Sequence, residues 1–375
     1  MRVRTGIDGF IALQQAAAQQ NFTSLTRISA TPSRIADLTC CRALFAAWVF
    51  AYHLNLHARF ASALGMVAPL VTRGYLGVDG FFVLSGLILA HAHRDLGLAP
   101  SVAMRFWLRR LVRIYPVHLA MIGLLAVLLL CGLALGHPPR QPQRFGLGEL
   151  ARHLLLVQGW GVSDRWAWNY PSWSISTEWA GYLAFPLLWA MLRRTPAGLA
   201  ALLPPVALAA LLAVDLRSGA GLNLTFQGAL LRFFPEFLAG MAITRLIGPH
   251  AHAGRSRGLA AGGLVLAVMA CMARQDALAV AGLWLFLAGL RCAAAHPLLA
   301  PIPGLAWLGR LSYAFYMSFA IVEMIAAAAW RGLGIAPSAA PLPYVAASTA
   351  ATLALALAIH RLIERPAIRR FSPAV

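Results

Sequence analysis

The chain has 375 residues, of which 60% are hydrophobic and 11% charged, and its net charge of +19 is carried by arginine with no lysine. That balance excludes an ordinary soluble domain and points to one integral membrane bundle, because many apolar stretches approach the roughly 20 residues needed to cross a bilayer. The positive charge does not mark a nucleic-acid binder, since the arginines flank apolar stretches and form no single patch.

Residues 1–36 are polar, include QQAAAQQN, and read as a cytoplasmic tail without the apolar core of a cleavable signal sequence. Ten helices are then predicted, at about 39–57, 74–91, 116–136, 173–192, 197–214, 226–245, 258–273, 277–291, 305–327 and 342–362. The expected fold is an all-α integral membrane protein, a bundle of about ten transmembrane helices over 37–366. A short cytoplasmic tail is expected at 367–375. Placing the N-terminus inside puts twenty of the 31 arginines on the cytoplasmic side, including the five from Arg94 to Arg113 and the four from Arg361 to Arg370. Arginine excess marks the cytoplasmic face, so the expected orientation is N-in, C-in.

The first predicted helix carries Arg42 and His53 in the run CRALFAAWVFAYHLNLH. Ionisable groups in hydrocarbon are costly and mark function. Eleven residues correspond to about 16 Å and nearly three turns, so both side chains share one face. The pattern suggests a protein-lined path through the membrane with chemistry along it. The next segment, GYLGVDGFFVLSG, brings Asp79 toward the His53 end, where a carboxylate would orient the imidazole and raise its basicity. Its glycines suit close approach of helices or a ligand.

The segment FWLRRLVRIYP sets Arg109, Arg110 and Arg113 at spacings that share or adjoin one helix face. Ordinary positive-inside anchoring would explain them, but guanidinium forks also suit phosphate groups of a cytoplasmic cofactor. The stretch at about 137–172 begins as a proline-rich linker and ends in WGVSDRWAWNYPSW. Its four tryptophans read first as an interfacial aromatic belt and second as a sugar-stacking surface. Glu178 follows in WSISTEW, and Glu236 in RFFPEFLAGM. LGRLSYAFYM carries Ser312, Tyr313 and Tyr316, with Ser312 and Tyr316 on one face. Glu364 in HRLIERP reads as part of a structural ion cluster with Arg361 and Arg365. The five cysteines read as buried inert thiols, and no metal is expected.

Together these segments resemble the acyltransferase family 3 membrane proteins, which O-acylate glycans and some other hydroxyl-bearing acceptors. The resemblance runs in order over about 40–366. Arg42 and His53 are similar to the family's R-x10-H signature, GVDGFFVLSG at 77–86 to its GVDxFFxxSG segment, RLVR at 110–113 to RxxR, and WSISTEW at 173–179 to WSLxxE. RFFPEFLAGM, LGRLSYAFYM and IERP also have counterparts. One departure stands out: Phe319 occupies the place where many members have a histidine.

The resemblance implies an acyl-CoA donor, usually acetyl-CoA, on the cytoplasmic side of a bacterial inner membrane. It implies a glycan or lipid-linked sugar acceptor outside, lipids around the bundle and no nucleic acid, with no esterase-like domain expected after the bundle. His53, oriented by Asp79, is expected to deprotonate the acceptor hydroxyl. Arg42 would hold the donor or stabilise the oxyanion. Arg109, Arg110 and Arg113 would bind cofactor phosphates, with Ser312, Tyr313 and Tyr316 beside the cofactor. Glu178 would bind acceptor or support the histidine. Acyl transfer through a covalent intermediate on His53 or on Ser85 is the rival chemistry. A transporter of an anionic or glycan substrate is the rival function, disfavoured because the two halves show no internal repeat.

Overall fold

A computed structural model describes residues 36–219, 221–247, 253–293 and 297–371. The expected N-terminal tail, 1–36, lies outside them apart from Ala36; of the expected C-terminal tail, 367–371 continue a helix and the rest lie outside the described residues. The described chain is helical: α1 (Ala36–Ala58), α2 (Gly77–Ala92), α3 (Pro100–Ala134), α4 (Leu147–Leu154), α5 (Trp173–Arg194), α6 (Leu203–Ser218), α7 (Ala229–Leu246), α8 (Ala253–Met272), α9 (Asp276–Cys292), α10 (Leu305–Gly332), α11 (Pro341–Ile359) and α12 (Arg365–Phe371), with loops and shorter helical segments between. Each predicted range falls on a helical segment. Among the described residues, six helical stretches are long and apolar enough to cross a membrane. The helices α1, α5 and α7 are not among the six; they carry Arg42 and His53, Glu178, and Arg232 and Glu236.

Two boundaries differ instructively. The third helix begins at Pro100, well before the expected 116, and runs through Pro116. Arginine is a good helix former, so FWLRRLVRIY continues one helix instead of preceding it. Pro100 sits in the first turn, where a missing N–H costs nothing. The stretch at 137–172 is also less open than a linker, because α4 folds within it.

Two close helix contacts set the positions of the candidate site residues. Gly86 of α2 faces the Phe237 carbonyl of α7, and Gly240 of α7 faces the Val83 carbonyl of α2, so that a Cβ on either glycine would collide with backbone. Small residues let membrane helices touch backbone to backbone. Gly309 of α10 lies against the Thr39 carbonyl of α1 in the same way. From that contact the two helices run side by side in the same direction. An offset of 270 residues relates Thr39 to Gly309, Arg42 to Ser312 and His53 to Glu323.

Candidate active site

Two cavities sit between these helices. The larger, about 860 Å³, is lined by Arg42 of α1, Ser85 of α2, Arg110 and Arg113 of α3, Glu178 and Tyr182 of α5, and Ser312, Tyr313 and Tyr316 of α10. The smaller, about 450 Å³, is walled by His53 and Tyr52 of α1, by Tyr75, Trp166, Tyr170, Trp173 and Asn223, and by Arg232 of α7. Val78 and Tyr316 line both.

In the arginine cavity, Arg42 donates from Nε to Ser312 Oγ at 3.3 Å. Glu178 accepts from Ser85 at 2.7 Å and from the Tyr182 hydroxyl at 2.6 Å, both on Oε1. Glu178 therefore stands with the arginines, not beside His53. Arg113 pairs through Nη1 with Glu364 at 2.9 Å and stacks 5.9 Å from the Tyr313 ring centre. Glu364 also takes His360 at 2.7 Å, so its partners are Arg113 and His360 rather than the neighbouring arginines expected from the sequence. Arg110 lies 5.7 Å over Phe106 and 5.9 Å over Tyr182, and its buried Nε has no hydrogen-bond partner. Such an orphaned donor beside a second arginine fits an anionic ligand. Arg109 is exposed and does not line the cavity. Helix spacing does not select between them, because Arg113 lies on the arc between Arg109 and Arg110; Arg110 is held on the cavity side against the Phe106 and Tyr182 rings.

The pairing of Asp79 differs from the sequence expectation. Both of its carboxylate oxygens are taken by Arg232, from Nε at 2.6 Å and from Nη2. Neither side chain is exposed. Glu236, fully buried one turn further along α7, sits against the same pair. The glycine-mediated contact of α2 with α7 is what sets Arg232 against Asp79.

His53 instead meets Tyr170. Its Nδ1 lies 3.0 Å from the Tyr170 hydroxyl, which donates to Glu323 Oε2 at 2.8 Å. Glu323 Oε2 is 4.0 Å from His53 Nδ1, and its side chain is 4% exposed. Phe319 packs its ring 4.8 Å from the imidazole. Tyr170 reaches this point because Trp168 adopts a left-handed φ of 42°, uncommon for a non-glycine, and because Asn169 anchors to the Met317 carbonyl at 3.0 Å. Burial and then the Glu323 carboxylate hold the Tyr170 phenol well above its ordinary range, so it remains a donor.

Sequence reasoning did not single out Tyr170, Arg232 or Glu323. Arg232 reads as one more loop arginine, although its four-residue spacing from Glu236 puts both on one face of a helix. Glu323 carries the stronger signal, an acid in the apolar run SFAIVEMIAAAA, which is the reasoning that flagged His53. Of the four loop tryptophans, Trp166 and Trp173 line the histidine cavity. Trp160 and Trp168 do not, donating instead to the Ser176 and Gly146 carbonyls. Among the described residues no group of three or more histidines, cysteines or acids stands where it could hold a metal ion.

Comparison with known proteins points the same way. The family model described as an acyltransferase domain matches residues 35–361. An acyltransferase of Streptomyces mycarofaciens, MdmB, is 37% identical over 167 residues, covering 44% of this chain and 41% of that protein. Protein 2 in the picA locus of Rhizobium radiobacter is 38% identical over 65 residues, 17% of this chain and 34% of the relative. The matches thus span well under half the length of each relative. No solved structure is significantly similar to the chain. With its matching domain running from the start of α1 into the turn after α11, the chain belongs to acyltransferase family 3.

Proposed function

We propose that the protein is a membrane O-acyltransferase. It moves an acyl group, acetyl by default, from acyl-CoA at the cytoplasmic face to a hydroxyl of a glycan or lipid-linked sugar on the outer side of a bacterial inner membrane. The observation that carries this reading is the shared wall of the two cavities. One presents arginines suited to phosphate, the other a histidine suited to proton transfer, and Val78 and Tyr316 belong to both.

In this account Arg110 and Arg113 hold the phosphates of the donor, and Arg42 lies between them and His53 along the path of the acyl arm. Arg109 contributes only to the electrostatic field at the surface. Ser312, Tyr313 and Tyr316 line the donor side. His53 accepts the proton of the acceptor hydroxyl as its oxygen bonds to the thioester carbonyl carbon. The carbon–sulfur bond then breaks, and the proton passes from His53 to the departing thiolate. Arg42 stabilises the negative charge that gathers on the carbonyl oxygen. Asp79 fixes α2 against α7 through Arg232, and Glu178 orders Ser85 and Tyr182 on the donor side. The aromatic wall of the histidine cavity suits the apolar face of a sugar ring. The test is transfer of labelled acetyl from acetyl-CoA to glycan or lipid fractions by membranes carrying the protein. His53→Ala should abolish the transfer.

A further inference from the structure

The helix α10 puts a buried carboxylate, Glu323, within reach of His53. Glu323 has no arginine at ion-pair distance among the described residues; the one cationisable group that near is His53, at 4.0 Å. Its other oxygen, Oε1, is buried without a partner. A buried carboxylate without a counter-charge is costly. Arg232 and Asp79, by contrast, neutralise each other. An imidazolium at His53 would supply the counter-charge that Glu323 lacks. An interaction that strengthens as charge develops on the base assists the transition state more than the resting site.

We infer that Tyr170 and Glu323 are the positioning residues of His53, forming a relay His53–Tyr170–Glu323 that takes the place expected for Asp79. The inference rests on the reading of His53 as the base. The Tyr170 hydroxyl carries one proton and spends it on Glu323 at 2.8 Å, so toward His53 it can only accept. That places the imidazole proton on Nδ1 and leaves the Nε2 lone pair for the acceptor hydroxyl. A third group that fixes the tautomer of a catalytic imidazole is a general device of acyl-transfer sites. Here a phenol is interposed between imidazole and carboxylate. Phe319 closes one face of the ring, which removes a competing hydrogen-bond partner from the position four residues before Glu323.

The test uses the full-length protein in detergent or proteoliposomes, with acetyl-CoA as donor and its native membrane fraction as acceptor source. Tyr170→Phe keeps the ring and removes the hydroxyl; Glu323→Gln keeps the shape and removes the charge. Both should lower kcat by roughly 10²-fold while the KM for acetyl-CoA stays within about twofold. Glu323→Asp, which retains the carboxylate, should recover part of that loss. Should Glu323→Gln fail to fold, Tyr170→Phe decides alone. Wild-type kcat in Tyr170→Phe, or a loss confined to KM, overturns the relay even if His53→Ala is inactive. Full turnover in His53→Ala would instead overturn the reading of the base on which the relay rests.

Discussion

Arg232 and Asp79 form a two-pronged ion pair in which neither side chain touches solvent. Removing one member of a buried pair strands the other, at a cost of about 3–5 kcal/mol. Asp79→Asn and Arg232→Met should therefore lower the melting temperature and the folded yield of the purified protein. The double variant Asp79→Asn with Arg232→Met should be more stable than Arg232→Met alone. An Asp79→Asn protein that melts like wild type yet has lost turnover would return Asp79 to a direct role in the chemistry.

The two arginines that line the larger cavity make a separable prediction about the donor. Arg110→Ala or Arg113→Ala should raise the KM for acetyl-CoA about 10- to 100-fold, the scale of one lost charge-assisted hydrogen bond. Arg109→Ala should have a smaller effect, because its side chain is exposed and outside the cavity. Steady-state kinetics at constant ionic strength compares the three. An Arg109 effect as large as the other two would make the phosphate contact a property of the surface.

The crossing of α2 and α7 leaves no room at its glycines. Gly86→Leu or Gly240→Leu would drive a side chain into the facing carbonyl, so either should be recovered in much lower folded yield than wild type. Gly123→Leu, at a position open to its surroundings, provides the comparison. Size-exclusion profiles in one detergent report the outcome. Equal yields at all three positions would mean that the crossing is looser than described.

Direct transfer also predicts what is not seen with donor alone. Ser85 donates to Glu178 within the arginine cavity and would carry the acyl group in a covalent route. Incubation with labelled acetyl-CoA and no acceptor should leave the protein without bound label after denaturing electrophoresis. A stable labelled band that disappears in Ser85→Ala would establish an acyl-enzyme instead.

Much of this architecture is legible in the sequence because membrane helices advertise themselves. Apolar length locates many of the segments, and an ionisable residue within an apolar run, such as Arg42 or His53, picks out a face that lines a cavity. The cluster of Arg109, Arg110 and Arg113 is legible as a cluster, although spacing does not tell which of the three line the cavity. Partner choice is not legible. Asp79 and His53 stand on successive helices, which makes their pairing the natural guess, yet the partner of Asp79 comes from 153 positions away. That choice is made by Gly86 and Gly240, whose contact brings α7 onto α2. Glu323 and His53 are likewise joined by an offset of 270 residues between α1 and α10, and that register follows from Gly309 meeting Thr39. Tyr170 is harder still to foresee, since its approach depends on a left-handed backbone at Trp168. Helix existence is a local property; pairing across a bundle is set by where the backbones can touch.

The most direct test of the central claim is transfer of radiolabelled acetyl from acetyl-CoA by membranes carrying either the wild type or His53→Ala, with equal amounts of each protein verified by immunoblot. The account predicts label in a glycan or glycolipid fraction for the wild type and none above background for the variant. Equal labelling by both would contradict it, because the imidazole in the wall of the smaller cavity would then have no part in the transfer.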